Sequence, residues 1–392
     1  KKRALVPRSF CHRPLAARLK ASSMPRFAER AYNFSPGPAV LPLTVLEKVQ
    51  KELLNYRECG ASILEISHRS KDFLPILDET QQLFRQLTQL PDNYRLLFFS
   101  GGAQMQFSAV PLNLLSRSAS NRASYAVTGK WGELALDEGK SYGSAEEWVH
   151  GRENRYNQIP TIHAEDLKQL KGSAYLHLTS NNTLYGTQWN HFPQTGEVPL
   201  VIDATSDILS REVDFSQFGL VYASLQKNLG PAGLTLVVVR EDLLGCHMPQ
   251  TPKLMQYQAI DSQNSLNNTI NVFAVYVMRY VLEWYQEQGG VAAIEQQNRQ
   301  KAKLLYDYLD ESDFFLTNVN LPDRSLVNVI FNLPTTELLQ QFLRECDEVG
   351  LLALKGHREV GGVRASLYNA LPLAAVERLV EKMWDFERKA LT

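Results

Sequence analysis

The chain is short of cysteine. It has four in 392 residues, at Cys11, Cys59, Cys246 and Cys346, with no Cys-x-x-Cys pair. That spacing excludes a disulfide framework and a cysteine-rich zinc site, and it fits free thiols in a reducing compartment, with the cytoplasm as the expected location. None of the eight histidines belongs to a His-Glu-x-x-His motif, so no metal site is expected. No Gly-x-Gly-x-x-Gly occurs, which removes the dinucleotide fingerprint and with it a nicotinamide oxidoreductase. No apolar run is long enough to span a bilayer, so no membrane partner is expected. An excess of either charge is missing too: 41 basic and 42 acidic residues leave a net charge of −1. Bulk electrostatics therefore give no reason to expect a nucleic-acid partner.

Acidic residues are also missing from the start of the chain, the first being Glu29. Residues 1–30 are rich in Lys, Arg, Ala and Ser and read as a disordered basic leader. The alternative is an organelle transit peptide, which would move the location from the cytoplasm to an organelle. The rest is ordinary globular sequence. With 44% hydrophobic and 21% charged residues, it is long enough to bury a large core in two or three domains.

After Tyr32 the chain alternates strand and helix. Strands are expected at Arg95–Phe99, Ser124–Val127, Ala174–Leu178, Leu200–Ile202, Leu220–Ala223 and Leu234–Val239. Only ten residues separate Ala223 from Leu234, too few for a crossover helix, so that pair is expected to be antiparallel. The others predict a mainly parallel α/β sheet buried on both faces. A long helix is expected over Asn271–Gln288, broken at Gly289-Gly290, and another over Val291–Leu309. Strand, helix, strand and helix should follow at Leu326–Phe331, Thr336–Val349, Val363–Leu367 and Ala374–Lys389. This last stretch reads as a smaller C-terminal α/β domain. The expected division is a leader (1–30), a segment packing with the small domain (31–44), a large cofactor-binding domain (45–297) and a small domain (298–392).

Polar residues gather where the strands end, which is where open α/β sheets bind ligands. Lys227 stands in a polar turn between two apolar runs. A lysine desolvated at a strand end has its pKa lowered and can form a Schiff base. Ser100-Gly101-Gly102-Ala103-Gln104 opens a helix, where backbone N–H groups can approach a phosphate. Asp203 follows an apolar strand and can pair with a protonated ring nitrogen. Trp131 offers a flat face for stacking on a planar cofactor. Taken singly, each has a bland alternative: a solvated loop lysine, a tight turn, a helix cap, a core tryptophan. Together they are the four parts that a pyridoxal phosphate site requires.

With these parts in place, the chain resembles the phosphoserine aminotransferase family, of the fold-type I, class V pyridoxal phosphate enzymes. The resemblance runs from Tyr32 to about Arg388. It is carried by Asn33-Phe34-Ser35-Pro36-Gly37-Pro38-Ala39, Ser67-His68-Arg69-Ser70-Lys71 and Gln226-Lys227-Asn228 with Gly230-Pro231-Ala232-Gly233. Lys355-Gly356-His357-Arg358, Gly361-Gly362-Val363-Arg364-Ala365-Ser366 and Tyr368-Asn369 complete it. The resemblance implies that Lys227 holds pyridoxal 5′-phosphate as a Schiff base and shuttles a proton. Asp203 would pair with the ring nitrogen, Trp131 would stack on the ring, and Thr183 would bind its polar edge. The backbone at Ala103 and Gln104, with the Gln226 side chain, would hold the phosphate. Asn268 and Thr269 would reach the cofactor of a neighbouring subunit, which implies a homodimer. Arg364 would clamp the substrate α-carboxylate. His68, Arg69, His357 and Arg358 would receive the substrate phosphate, or the side-chain carboxylate of glutamate. The implied substrates are L-glutamate and 3-phosphohydroxypyruvate. A phosphorylated threonine of vitamin B6 synthesis would be a second substrate.

Three features depart from the family pattern: Leu225 before the Gln-Lys pair, the absence of prolines after Asn268-Thr269, and the charge of Asp207. A cysteine desulfurase of the same class would carry a histidine before the lysine, where this chain has Gln226. A cofactor-binding regulator would need an added DNA-binding domain or a lost proton shuttle; the leader is too short to be the first, and Lys227 is present.

Overall fold

The computed structural model describes residues 30–392. The reading of residues 1–30 as a leader or transit peptide therefore lies, Arg30 apart, outside the described residues. The fold is built on seven strands: β1 (Tyr94–Ser100), β2 (Arg122–Val127), β3 (Ser144–His150), β4 (Leu176–Thr179), β5 (Leu200–Asp203), β6 (Leu220–Ser224) and β7 (Leu234–Arg240). They lie in the order β1-β7-β6-β5-β4-β2-β3. β7 is antiparallel to both its neighbours, and the remaining pairs are parallel. The short link after β6 produces the antiparallel pair, as its length predicts.

Both faces of this sheet are buried. Along β6, Val221 and Ala223 enter one apolar cluster, while Leu220 and Tyr222 enter the other. Alternation along β7 is the same, with Leu236 and Val238 on one side and Val237 and Val239 on the other. Such strands read as continuous apolar runs because neither face meets water. β3 is the strand that its sequence hides. Ser144-Ala145-Glu146-Glu147-Trp148-Val149-His150 pairs with β2 alone at the sheet edge, and only Trp148 is fully buried. An edge strand with one partner needs no apolar run, so hydrophobicity does not reveal it.

Helices cover the faces. α1 (Met105–Leu114) and α2 (Lys130–Gly139) follow β1 and β2. α3 (Val272–Glu287) is apolar nearly all round and packs deep in the first cluster. The Asn271 side chain caps it by accepting from Ala274 N–H at 3.0 Å. In place of prolines, the segment after Asn268-Thr269 thus supplies a helix cap. α3 ends at Gly289, whose φ of +97° terminates the helix, and α4 (Gly290–Glu311) follows.

Beyond α4 a third apolar cluster forms around β8 (Asn328–Phe331) and β9 (Val363–Ser366), which pair antiparallel. α4, α5 (Thr336–Glu348) and α6 (Leu373–Ala390) pack against them, and Phe34 from the start of the chain is buried in the same cluster. Nearby, Tyr32–Asn33 pairs with Leu351–Leu352 as a short parallel ladder. Among the described residues, no helix is long and apolar enough to cross a membrane.

Candidate active site

β2 leads outward to β3, while β4 leads the other way to β5 and β6. The sheet order therefore reverses between β2 and β4. The crevice beyond the carboxyl ends of strands at such a reversal is where this architecture binds ligands. The turns after β1, β2, β4, β5 and β6 meet there around a cavity of about 360 Å³. Its lining includes Ala103, Gln104, Trp131, Thr183, Asp203, Gln226 and Lys227, seven of the expected site residues.

At one end lies an anion cradle. Gly101 has φ +104°, and a Cβ there would sit 2.9 Å from Met105 Sδ, so glycine suits both the turn and the close approach. The N–H groups of Met105, Gln106 and Phe107 are taken by the carbonyls of Gly102, Ala103 and Gln104. The N–H groups of Ala103 and Gln104 stay outside that ladder, at the amino end of α1. Free N–H groups at a helix start favour negative charge, and phosphate in particular. The Gln226 side chain accepts from Ser224 Oγ beside them.

At the other end stands Lys227. Its Nζ donates to Thr183 Oγ1 at 3.0 Å. Burial pushes the amine down to about 8; Asp203 and Asp207 pull it up, and Arg364 pushes it further down. The Asn33–Ala39 motif packs against this turn. Ala39 N–H donates to the Gln226 carbonyl at 2.8 Å. A Cβ on Gly37, at φ +139°, would lie 3.4 Å from Lys227 Cγ, so only glycine fits there without strain.

Asp203 is 5% exposed and accepts from Thr205 N–H at 3.0 Å. Burial raises its carboxyl, and Thr205 and Lys227 oppose the rise. Trp131 Nε1, Thr179 Oγ1 and Arg364 Nε are buried without a hydrogen-bond partner. Buried polar groups are almost always satisfied, so the unpaired atoms of Trp131 and Thr179, which line the cavity, mark a place for a polar ligand. Phosphate at the cradle, an aromatic ring against Trp131 and a ring nitrogen at Asp203 would match this set.

The structure does not bring every expected residue into the cavity. Arg364, on β9, is buried near enough to bias the Lys227 charge. His68 is half-buried with Nε2 unpaired, and Arg69 is exposed, with Nη2 3.5 Å from the Leu266 carbonyl. Asn268 and Thr269 are exposed, and the Thr269 carbonyl accepts from Ser100 Oγ at 3.4 Å. His357 is half-buried and Arg358 exposed. Their loop is tied to α2 by Lys130, whose Nζ lies 3.8 Å from Glu359.

Other residues escaped the sequence reading. Thr179, Asn181, Thr205 and Ser206 also line the cavity. Behind Lys227, the Asn228 side chain accepts from Asn369 N–H at 3.2 Å, while Asn298 Nδ2 donates to Asn369 Oδ1 at 2.8 Å. This buried amide chain joins the lysine turn to α4 and to the segment after β9. The signal that could have found Thr179 and Thr205 is their place at the ends of apolar strands beside Asp203. The unusual residues also have clear settings. Asp207 accepts from Ser180 Oγ and from Gln188 Nε2, and Arg211 lies 3.8 Å away. Leu225 is wholly buried in the first apolar cluster.

The family model for aminotransferase class-V matches residues 31–379. The chain belongs to the class-V aminotransferases. A phosphoserine aminotransferase from Bacillus cereus is 48% identical over 359 residues, covering 92% of this chain and 99% of the relative. The structure of phosphoserine aminotransferase from Bacillus circulans subsp. alkalophilus is 43% identical with a TM-score of 0.89. It covers 93% of this chain and 100% of that one. A PLP-bound phosphoserine aminotransferase from Trichomonas vaginalis is 35% identical with a TM-score of 0.85, over 90% of this chain and 99% of that one. This class-V aminotransferase is thus an enzyme of the fold expected from its motifs.

Proposed function

We propose that this aminotransferase uses pyridoxal 5′-phosphate to move the amino group of L-glutamate onto 3-phosphohydroxypyruvate, giving O-phospho-L-serine and 2-oxoglutarate. The carrying observation is the Lys227 amine, 3.0 Å from Thr183, sharing one cavity with a buried Asp203 and a cradle of free N–H groups. The shared activity of phosphoserine aminotransferases similar over nearly the whole chain supports the substrate. The same reading extends to the phosphorylated threonine of vitamin B6 synthesis and to a cytoplasmic location.

When bound, the cofactor supplies an aldehyde that reacts with amines and a ring that takes up the electron pair left at the substrate Cα. The chain does the rest. Ala103 and Gln104 N–H groups and the Gln226 side chain hold the phosphate. Trp131 and Thr183, which both line the cavity, would hold the ring. Asp203 keeps the ring nitrogen charged, since a buried carboxylate stabilises a nearby cation strongly. Lys227 Nζ, partly neutral near pH 8, would take up the proton from the substrate Cα and return it across the bound cofactor.

Arg364 matches the substrate α-carboxylate in a bidentate way. His68, Arg69, His357 and Arg358 would receive the phosphate, or the side-chain carboxylate of glutamate. Asn268 and Thr269, exposed beside Ser100 at the cradle's edge, would reach the cofactor phosphate of a second copy in a homodimer. The domain division follows the same reading, with 45–297 carrying the cofactor, 298–392 forming the small domain, and 31–44 packing with it.

The decisive experiment is the absorbance of the protein loaded with pyridoxal phosphate, before and after O-phospho-L-serine. Loss of the visible band with gain of the pyridoxamine form is expected. A band that ignores phosphoserine but answers another amino acid would overturn the substrate. Failure to bind the cofactor would overturn the reading entirely.

Arg358→Ala tests the phosphate role. It should raise KM for phosphoserine about tenfold or more, since a charge-assisted hydrogen bond is worth at least that much, with little change for serine. Equal losses on both substrates would argue against a phosphate contact.

A further inference from the structure

Behind Asp203 runs a buried polar chain that the proposed reaction does not use directly. β4, β5 and β6 are parallel neighbours, and their register sets His177 beside Val201 and Asp203 beside Tyr222. Paired positions on adjacent strands point to the same face, so His177, Asp203 and Tyr222 share one side of the sheet. His177 Nε2 lies 2.8 Å from the Tyr222 hydroxyl, with the two rings near parallel at 29°. Tyr222 is the register partner of Asp203 on the neighbouring strand, and the carboxylate helps burial to raise the Tyr222 hydroxyl. All three side chains are buried. The Tyr125 ring packs 5.2 Å from His177, and Tyr125, Tyr175 and Tyr257 are the other titratable groups around this pocket.

We propose that His177 and Tyr222 are positioning residues that form a directed hydrogen-bond relay, His177 Nε2–H to Tyr222 O–H to the Asp203 carboxylate, holding Asp203 ionised and aimed at the cofactor ring nitrogen. This rests on the reading of the site as a pyridoxal phosphate site. The direction follows from counting donors. Burial keeps His177 neutral, down to about 3, so the ring carries one N–H. Its Nδ1 has no partner. If the proton sits on Nε2, Tyr222 receives it and has its own O–H free for Asp203. In the reverse direction Nδ1–H would be a buried donor with nothing to bond, and Asp203 would have to be protonated to complete the chain. Unpaired buried N–H groups are the rarer defect, which favours the forward direction.

The forward direction also supplies what Asp203 lacks. Burial alone pushes its carboxyl up, against the charge that a ring-nitrogen partner needs. Thr205 N–H gives one compensating bond, and in the relay Tyr222 O–H supplies a second from the neighbouring strand. Donors to the ionised form lower a carboxyl pKa. Hydrogen bonds in a low-dielectric interior polarise one another, so His177 strengthens the Tyr222 bond without touching Asp203.

The test uses the full-length protein loaded with pyridoxal phosphate labelled with nitrogen-15 in the ring, read by NMR. In the parent protein the ring nitrogen should be protonated. Tyr222→Phe should shift its resonance toward the unprotonated position, and kcat should fall about tenfold, the factor that one charge-assisted hydrogen bond is worth, with KM little changed. His177→Phe should shift it in the same direction by less, and the double variant should lose no more than Tyr222→Phe alone, because the two act as one unit. His177→Gln, which keeps an N–H donor, should restore most of the parental signal. It is also the milder variant should His177→Phe fail to fold. Unchanged ring-nitrogen resonances in Tyr222→Phe and in a folded His177→Phe, a His177→Gln shifted as far as Tyr222→Phe, or additive kcat losses, would overturn the relay. A parent protein that binds no cofactor would overturn the functional reading instead, so the two failures are distinguishable.

Discussion

Lys227→Ala is expected to abolish turnover and leave the fold intact. The side chain stands half-buried in a turn after β6, and its amine contacts Thr183 rather than holding the apolar clusters together. On the proposed reading the amine is both the covalent anchor and the proton carrier, so a loss of at least about 10⁴-fold in kcat is expected. Lys227→Arg should be equally inactive, because a guanidinium stays protonated and cannot attack an aldehyde. Single-turnover absorbance with phosphoserine checks both variants, and normal transamination by either would sink the assignment of Lys227.

The lowered pKa gives the same residue a pH signature. With the amine at about 8, roughly one in ten is neutral at pH 7, against fewer than about one in a thousand for an ordinary lysine. The neutral form grows as pH rises. Reaction of the cofactor-free protein with pyridoxal phosphate should therefore speed up between pH 7 and about 8 and level off above it. A rate still climbing steeply at pH 10 would show that the amine has an ordinary pKa.

Lys301→Met should destabilise the protein strongly, although Lys301 lies outside the cavity. The side chain is 1% exposed, and no carboxylate contacts it. Its Nζ donates to the carbonyls of Leu367, Tyr368 and Leu371 at 3.1, 2.9 and 3.0 Å. An ammonium has three donors, and all three are used here. Burial pushes the group down to about 7, so holding it there carries a cost. Methionine would fill the space and remove that cost, but it would leave three buried carbonyls short of a donor. At about 1–3 kcal/mol for each unsatisfied group, the carbonyls win, with a net loss of about 3 kcal/mol.

The effect should reach the site as well. The pinned turn carries Tyr368, whose hydroxyl donates to the Pro36 carbonyl at 2.9 Å, and Asn369, which bonds Asn228 beside Lys227. Denaturant unfolding of the cofactor-free and loaded proteins measures the loss. A variant as stable as the parent would mean that desolvating the charge costs as much as its three bonds return.

Much of the site was legible because its parts are local. Lys227, Asp203, Trp131 and Thr183 each follow a strand or open a helix within a few residues. An apolar run that ends in a polar turn says where the strand stops and which residue is presented. The glycines at Gly101 and Gly37 could be read for the same reason, since each answers a backbone demand within its own turn.

What stayed hidden is long-range. Asn228 and Asn369 are 141 residues apart, and Lys301 meets its three carbonyls across gaps of 66 to 70 residues. The His177–Tyr222 contact exists only because β4 and β6 flank β5. β3 was missed because an edge strand with one partner carries no apolar pattern.

By itself, then, the sequence determined the α/β class, the antiparallel β6–β7 pair, the lysine turn and the glycine turn that opens α1. These depend on hydrophobic period, loop length and turn chemistry over spans of about ten residues. The tertiary structure alone decided the strand order, the reversal between β2 and β4 that opens the crevice, and which buried polar groups complete one another. Those depend on how the apolar faces close over the sheet, where each polar group taken out of water must find a partner wherever in the chain that partner lies.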